Sequence, residues 1–167
     1  MSRIRILLAD DHTVVRQGLR KVLEERPDWE VVAEVGDGRE AVRLAEQHKP
    51  DVAILDVAMP LLNGIEATRQ IARRVPNTRV LVLSMHADEA YVTQILQAGA
   101  TGYLLKDSAE GELVQGAGEV GEGKGFFSPS IARVMLEPRQ RPLPARTSIW
   151  SRRLARWPRA SRSSVPQ

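Results

Sequence analysis

Two hydrophobic rhythms alternate along this chain. Ile4-Arg5-Ile6-Leu7-Leu8-Ala9 is a short apolar run of strand length. Val14–Leu23 then repeats at helical spacing, with Val15, Leu19, Val22 and Leu23 on one face. The same succession recurs four more times. Glu30–Val35 reads as a strand and Arg39–Gln47 as a helix; Val52–Leu55 reads as a strand stopped by Asp56. Asn63-Gly64 opens a helix carrying Ile65, Thr68, Ile71 and Ala72, and Arg79–Ser84 is a strand. Glu89–Ala98 is a helix ended by Gly99, and Gly102–Leu105 is a strand before a last helix from Ser108 or Ala109. Strands one, three and four are apolar on both faces, as strands covered on both sides must be. Five strand–helix units predict an α/β fold, a doubly wound parallel sheet of five strands. Right-handed crossovers on both faces force a reversal of chain direction in the sheet, and polar groups gather at the strand ends beside it.

The rhythm weakens towards the end. Six of the 12 glycines fall between Gly111 and Gly125, each costing about 1 kcal/mol against Ala in a helix interior. This predicts a short or frayed last helix, with 121–125 as loop. Ser128-Pro129-Ser130 then reads as a cap before a helix of at most two turns over Ile131–Leu136. The expected organisation is a domain over 1–123, a linker over 124–138 and a basic tail over 139–167.

Charge sharpens that division. All 21 carboxylates and 16 of the 24 Lys and Arg precede residue 139, leaving that part at −5; the last 29 residues hold eight arginines and no acid. The high pI of about 9.7 therefore belongs to the tail. The absence of Cys excludes a disulfide scaffold, a thiol nucleophile and a Cys-ligated zinc site. No run approaches the ~18 apolar residues of a membrane span, and a soluble, cytoplasmic protein is expected.

The predicted strand ends carry a selective set: Asp10-Asp11, Asp56, Ser84 and Lys106. A parallel sheet brings them to one edge. Three close carboxylates repel one another and favour a hard cation, with Mg²⁺ suited to a few oxygen ligands plus water. A lysine and a hydroxyl nearby can hold a tetrahedral anion. The sum is a carboxylate that accepts a phosphoryl group.

Asp10-Asp11, the run Asp56-Val57-Ala58-Met59-Pro60-Leu61-Leu62-Asn63-Gly64, Leu83-Ser84-Met85-His86 and Gly102–Asp107 together resemble the receiver domain of bacterial two-component response regulators, in wording nearest the NarL/LuxR type. The resemblance covers roughly residues 3–136. It implies a flavodoxin-like sheet of order 2-1-3-4-5. It further implies Asp56 as phosphoacceptor from a sensor histidine kinase or a small acyl phosphate. Asp11, Asp56 and the Ala58 backbone carbonyl would be Mg²⁺ ligands, with Asp10 acting through water. Lys106 would contact the phosphoryl oxygens, Ser84 would be the switch hydroxyl and Tyr103 the aromatic that moves with it. Phosphorylation would then bias self-association into a homodimer or the binding of other partners. His12 reads as a loop residue; His86, just past the switch hydroxyl, could influence access. Met85, where many receivers carry a smaller residue, suggests a more shielded pocket. Asp107, where many receivers carry a proline, suggests a trans bond after Lys106.

Regulators of this type continue into a helix-turn-helix DNA-binding domain. Here the residues after Pro138 carry Pro142, Pro144 and Pro158 and lack the periodicity of three packed helices. The expectation is a receiver without that domain. Three readings of 139–167 stay open: an out-of-frame or truncated end, a basic arm that binds phosphates without sequence preference, or an amphipathic helix with Trp150, Leu154 and Trp157 on one face. Two other functions compete with the switch. One is a DNA-binding regulator acting through the basic tail. The other is a Mg-dependent aspartyl phosphatase of the haloacid dehalogenase type, whose motif wants a second Asp where Ala58 stands.

Overall fold

The computed structural model describes residues 3–136, and the fold described is that of the unit ending at Met135. The readings of the tail after Pro138 lie outside the described residues. The elements run β1 (Ile4–Ala9), α1 (Thr13–Glu24), β2 (Trp29–Val35), α2 (Gly38–His48), β3 (Val52–Asp56), α3 (Gly64–Arg74) and β4 (Arg79–Ser84). There follow α4 (Glu89–Gln97), β5 (Gly102–Leu105), a 3₁₀ turn (Lys106–Ser108), α5 (Ala109–Gly121), β6 (Phe126–Phe127) and α6 (Pro129–Leu136). The sheet is parallel throughout, in the order β2-β1-β3-β4-β5-β6. It is the expected doubly wound flavodoxin-like sheet, extended by one strand at its edge.

Strand alternation sorts the core into two layers. Leu7, Ala53, Leu55, Val80, Val82 and Tyr103 face one side, against Ala41, Ala45, Ala67, Ile71 and Ile95 of α2, α3 and α4. Ile6, Leu8, Ile54, Leu81, Leu83 and Leu104 face the other, against Leu19, Leu23, Leu113, Ala117 and Val120 of α1 and α5. Helix starts follow the local chemistry. The side chain of Asp37 accepts from Glu40 N–H at 2.8 Å, and that of Asn63 from Glu66 N–H at 2.9 Å.

Three expectations are corrected here. The helix through the glycines is unbroken over 13 residues, Ala109–Gly121, not short or frayed, and the expected loop follows it over 122–125. A Cβ on Gly116 would stand 2.9 Å from the Phe126 ring, so the missing side chain lets α5 lie close on the sheet and its packing offsets the propensity cost. Residues 126–131, read as linker, belong to the body: Phe126 and Phe127 pair with Gly102 and Tyr103, and Ile131 is fully buried. Ser128 does precede α6, but its side chain points back to β5 and α5 rather than capping the helix. No cis peptide occurs among the described residues.

Candidate functional site

The carboxyl ends of β1, β3 and β5 meet at one edge of the sheet. Asp56 closes β3 and Asp10 follows β1; both are buried, at 3% and 0% exposure. Asp11 is on the solvent side of the pair. Lys106 follows β5 and extends its ammonium to 2.9 Å from Asp56 Oδ2 and 3.1 Å from Asp10 Oδ2. The second contact is off the line of a hydrogen bond, so Asp10 Oδ2 is buried without a hydrogen-bond partner. Asp10 Oδ1 accepts from the His12 backbone N–H at 2.9 Å, and the Ala58 N–H points at Asp56 Oδ1 at 3.4 Å.

The electrostatics are those of a crowded acidic pocket. Burial pushes the Asp56 carboxyl above the usual carboxylate range, and repulsion from Asp10 adds to it against the Lys106 hydrogen bond. For Lys106, burial works towards a lower value, but the hydrogen bond to Asp56 and the close negative charge of Asp10 and Asp56 outweigh it and hold the ammonium above the ordinary lysine value. One ammonium therefore serves two buried carboxylates, and a third stands beside them. Ligand atoms of Asp10, Asp11, His12 and Asp56 lie within 4.8 Å of one another. The buried Asp10 oxygen, which faces Lys106 but accepts no hydrogen bond, and the carboxylate donors fit a hard divalent cation such as Mg²⁺.

The neighbouring strand carries the second group of predicted residues. In register, Asp56 pairs with Leu83 and Ser84 with Leu105, so Ser84 stands one step beyond Asp56 on the same edge. Ser84 is 1% exposed and its Oγ accepts from the His86 N–H at 3.0 Å. Tyr103 is fully buried, its hydroxyl donating to the His86 carbonyl. Burial pushes that phenol up, which keeps it a donor. His86 also stacks on Tyr91 of α4, with ring centroids 4.5 Å apart and planes 3° off parallel. Its place is thus on the Ser84–Tyr103 link. Met85, expected to shield the pocket, is 64% exposed and stands out in solvent.

The fold brings together Asp10, Asp11, Asp56, Ala58 and Lys106, with Ser84 and Tyr103 on the adjoining strands. Two neighbours were not legible beforehand. His12 was read as a loop residue, yet its Nδ1 lies 3.2 Å from Asp11 Oδ1 and 3.4 Å from Asp10 Oδ1. Its adjacency to the acidic pair was the only signal. Arg16 donates to the Asp10 and Val35 carbonyls and pairs with Glu34 at 3.0 Å, buttressing the turn that carries the acidic pair. Gly64 was read as serving only the helix start. A Cβ there would stand 2.2 Å from the Asp56 carbonyl oxygen, so glycine is required for α3 to begin against the end of β3.

Known proteins resemble this one over the same region. The profile of the response regulator receiver domain matches residues 6–117. The transcriptional regulatory protein DegU of Brevibacillus brevis is 41% identical over 136 residues, 81% of this chain and 58% of its own. A solved two-component response regulator of the LuxR family from Aurantimonas sp. SI85-9A1 superimposes with a TM-score of 0.76 at 41% identity, covering 80% of this chain and 96% of its own. The signal receiver domain of the putative response regulator NarL from Mycobacterium tuberculosis gives a TM-score of 0.71 at 37% identity, covering 74% of this chain and 100% of its own. The chain spans about three fifths of the length of the curated relatives it matches.

Proposed function

This chain belongs to the response regulator receiver family of two-component signalling, alongside regulators of the NarL and LuxR type, and from that membership we propose that Asp56 is its phosphoacceptor. The observation that carries the reading is the buried Asp56 carboxylate, held by the Lys106 ammonium and flanked by Asp10 and Asp11. A carboxylate oxygen of Asp56 attacks the phosphorus of a phosphohistidine on a sensor histidine kinase, or of a small acyl phosphate. The new P–O bond forms as the bond to the donor breaks, and the donor's imidazole or carboxylate leaves with the electron pair.

Each side chain has a part. Lys106 exchanges its contact with Asp56 Oδ2 for a phosphoryl oxygen. Asp11, Asp56 and the Ala58 backbone carbonyl are the residues that would hold Mg²⁺, with Asp10 behind them through water. When bound, the ion supplies positive charge against the charge of the transferring group. Ser84 then turns towards the phosphoryl group. His86 N–H and the Tyr103 hydroxyl are already tied to that turn, so the change passes to α4 and β5. The output is a changed surface for association, either a homodimer or another partner, by population shift.

The product is a switched state, not a released small molecule. Ala58 offers no carboxylate two residues after Asp56, so the acid/base group of an aspartyl phosphatase is missing. Among the described residues no helix is long and apolar enough to cross a membrane. DNA contact through the basic tail would be an electrostatic addition to this role.

The test is incubation with acetyl phosphate and Mg²⁺. One phosphoryl group per chain is expected, lost in Asp56→Asn. Absence of the group, or its survival in Asp56→Asn, overturns the reading.

A further inference from the structure

Ser128 follows β6 at the sheet edge, beyond the region matched by the family profile. It is 1% exposed, and every polar atom of it is engaged. Its N–H donates to the Tyr103 carbonyl at 3.0 Å. Its Oγ accepts from the Leu105 N–H at 2.9 Å, and its hydroxyl donates to Glu112 Oε1 of α5 at 2.8 Å. Its carbonyl accepts from the N–H groups of Ile131 and Ala132, both at 2.9 Å, starting α6.

These bonds cross the sheet edge. Glu112 belongs to α5 on the α1/α5 side. Ile131 of α6 is fully buried in the opposite layer, the one that holds Tyr103. The strand end between them is Leu105, and the next residue is Lys106, whose ammonium rests on Asp56 and Asp10. A buried hydroxyl has one proton to give. Here Glu112 takes it, and the Leu105 N–H fixes the oxygen. Leu105 therefore cannot shift without straining or breaking the Ser128 bonds, and α6 cannot swing away without releasing Leu105.

We propose that Ser128 is a positioning residue of the phosphoacceptor site. It holds the strand end that projects Lys106, and through the same bonds it couples the state of Asp56 to the anchoring of α6. The proposal rests on Asp56 being the phosphoacceptor. The coupling is reciprocal: a group that loosens α6 weakens the hold on Lys106, and a phosphoryl group that draws Lys106 changes the anchoring of α6.

The experiment uses the full chain with acetyl phosphate and Mg²⁺ as the probe. Two readouts are taken: the initial rate of labelling at saturating acetyl phosphate, and amide exchange at Ile131 and Ala132 before and after labelling. Wild type is expected to change its protection at both amides on labelling. Ser128→Ala is expected to label about threefold or more slowly, the equivalent of one lost hydrogen bond, and to lose the labelling-dependent change. Glu112→Gln keeps an acceptor oxygen and is expected to behave as wild type, whereas Glu112→Ala is expected to resemble Ser128→Ala. The Glu112 pair carries the test if Ser128→Ala does not fold. A purely structural role would lower thermal stability and leave both readouts unchanged. That result, with wild type labelling normally, overturns this proposal alone. A wild type that takes no label overturns the phosphoacceptor reading, and the coupling with it.

Discussion

Arg16 lies in the first turn of α1, where the sequence shows only an arginine on an amphipathic helix. Folding brings it to the carboxyl ends of β1 and β2, its side chain 17% exposed. There its fork reaches the Asp10 carbonyl, the Val35 carbonyl and Glu34 at once. Arg16→Met is expected to lower Mg²⁺ affinity about tenfold, as removal of a group that orients metal ligands does, with Arg16→Lys recovering only part. Calorimetric titration checks this, and an unchanged affinity in the folded variant contradicts it. Glu34 carries a pH signature of its own. Burial pushes its carboxyl up, but the Arg20 and Arg16 guanidiniums outweigh that and hold it below the usual value. Its folded value lies below its unfolded one, so the stabilisation is complete above the unfolded carboxylate range and fades as pH falls through the folded value. Glu34→Gln is expected to cost about 1 kcal/mol at neutral pH, given the partial exposure of the pair, and nothing in strong acid. Urea unfolding at both pH values checks the sign; a cost that persists in acid contradicts it. At this scale, strand-end residues such as Asp56 and Lys106 were legible because strand position fixes where they point. Arg16 and Ser128 were not, because their partners lie in other elements.

α5 shows how tertiary contact overrides local propensity. Its glycines read as helix breakers, and the helix forms because one face of them meets bulky groups closely. Gly116 lies against Phe126, while a Cβ on Gly111 would meet nothing within 4 Å. The two positions should therefore respond oppositely to the same substitution. Gly111→Ala is expected to stabilise by up to about 1 kcal/mol through helix propensity. Gly116→Ala is expected to destabilise by about 1–3 kcal/mol through overpacking, despite the same propensity gain. Denaturant midpoints of the two variants decide it, and a shift of the same sign in both contradicts the packing account. The sixth strand escaped the sequence for a related reason. Two residues, Phe126-Phe127, carry no period of their own, and only pairing with Gly102 and Tyr103 makes them a strand. Among the five longer strands, β1, β3 and β4 were legible because runs such as Val80–Leu83 are apolar on both faces, and β2 and β5 because short apolar stretches there alternate with helix-period segments.

Across the whole molecule, the parallel order brings every strand's carboxyl end to one edge, and the acidic excess of the first 138 residues includes three carboxylates gathered there. One lysine is too little positive charge for them, an imbalance that a divalent cation would relieve, and the ion would likewise offset the negative charge of an incoming phosphoryl group. Phosphorylation of Asp56, the function proposed for this edge, is read by chemical trapping. The full chain is treated with acetyl phosphate and Mg²⁺ and then reduced with borohydride, which converts an aspartyl phosphate to homoserine, and the peptide bearing residue 56 is sequenced by mass spectrometry. The predicted result is homoserine at position 56 alone, absent when the chelator EDTA is added first. Trapping at Asp10, Asp11 or elsewhere, or none at residue 56 in the folded protein, would contradict it.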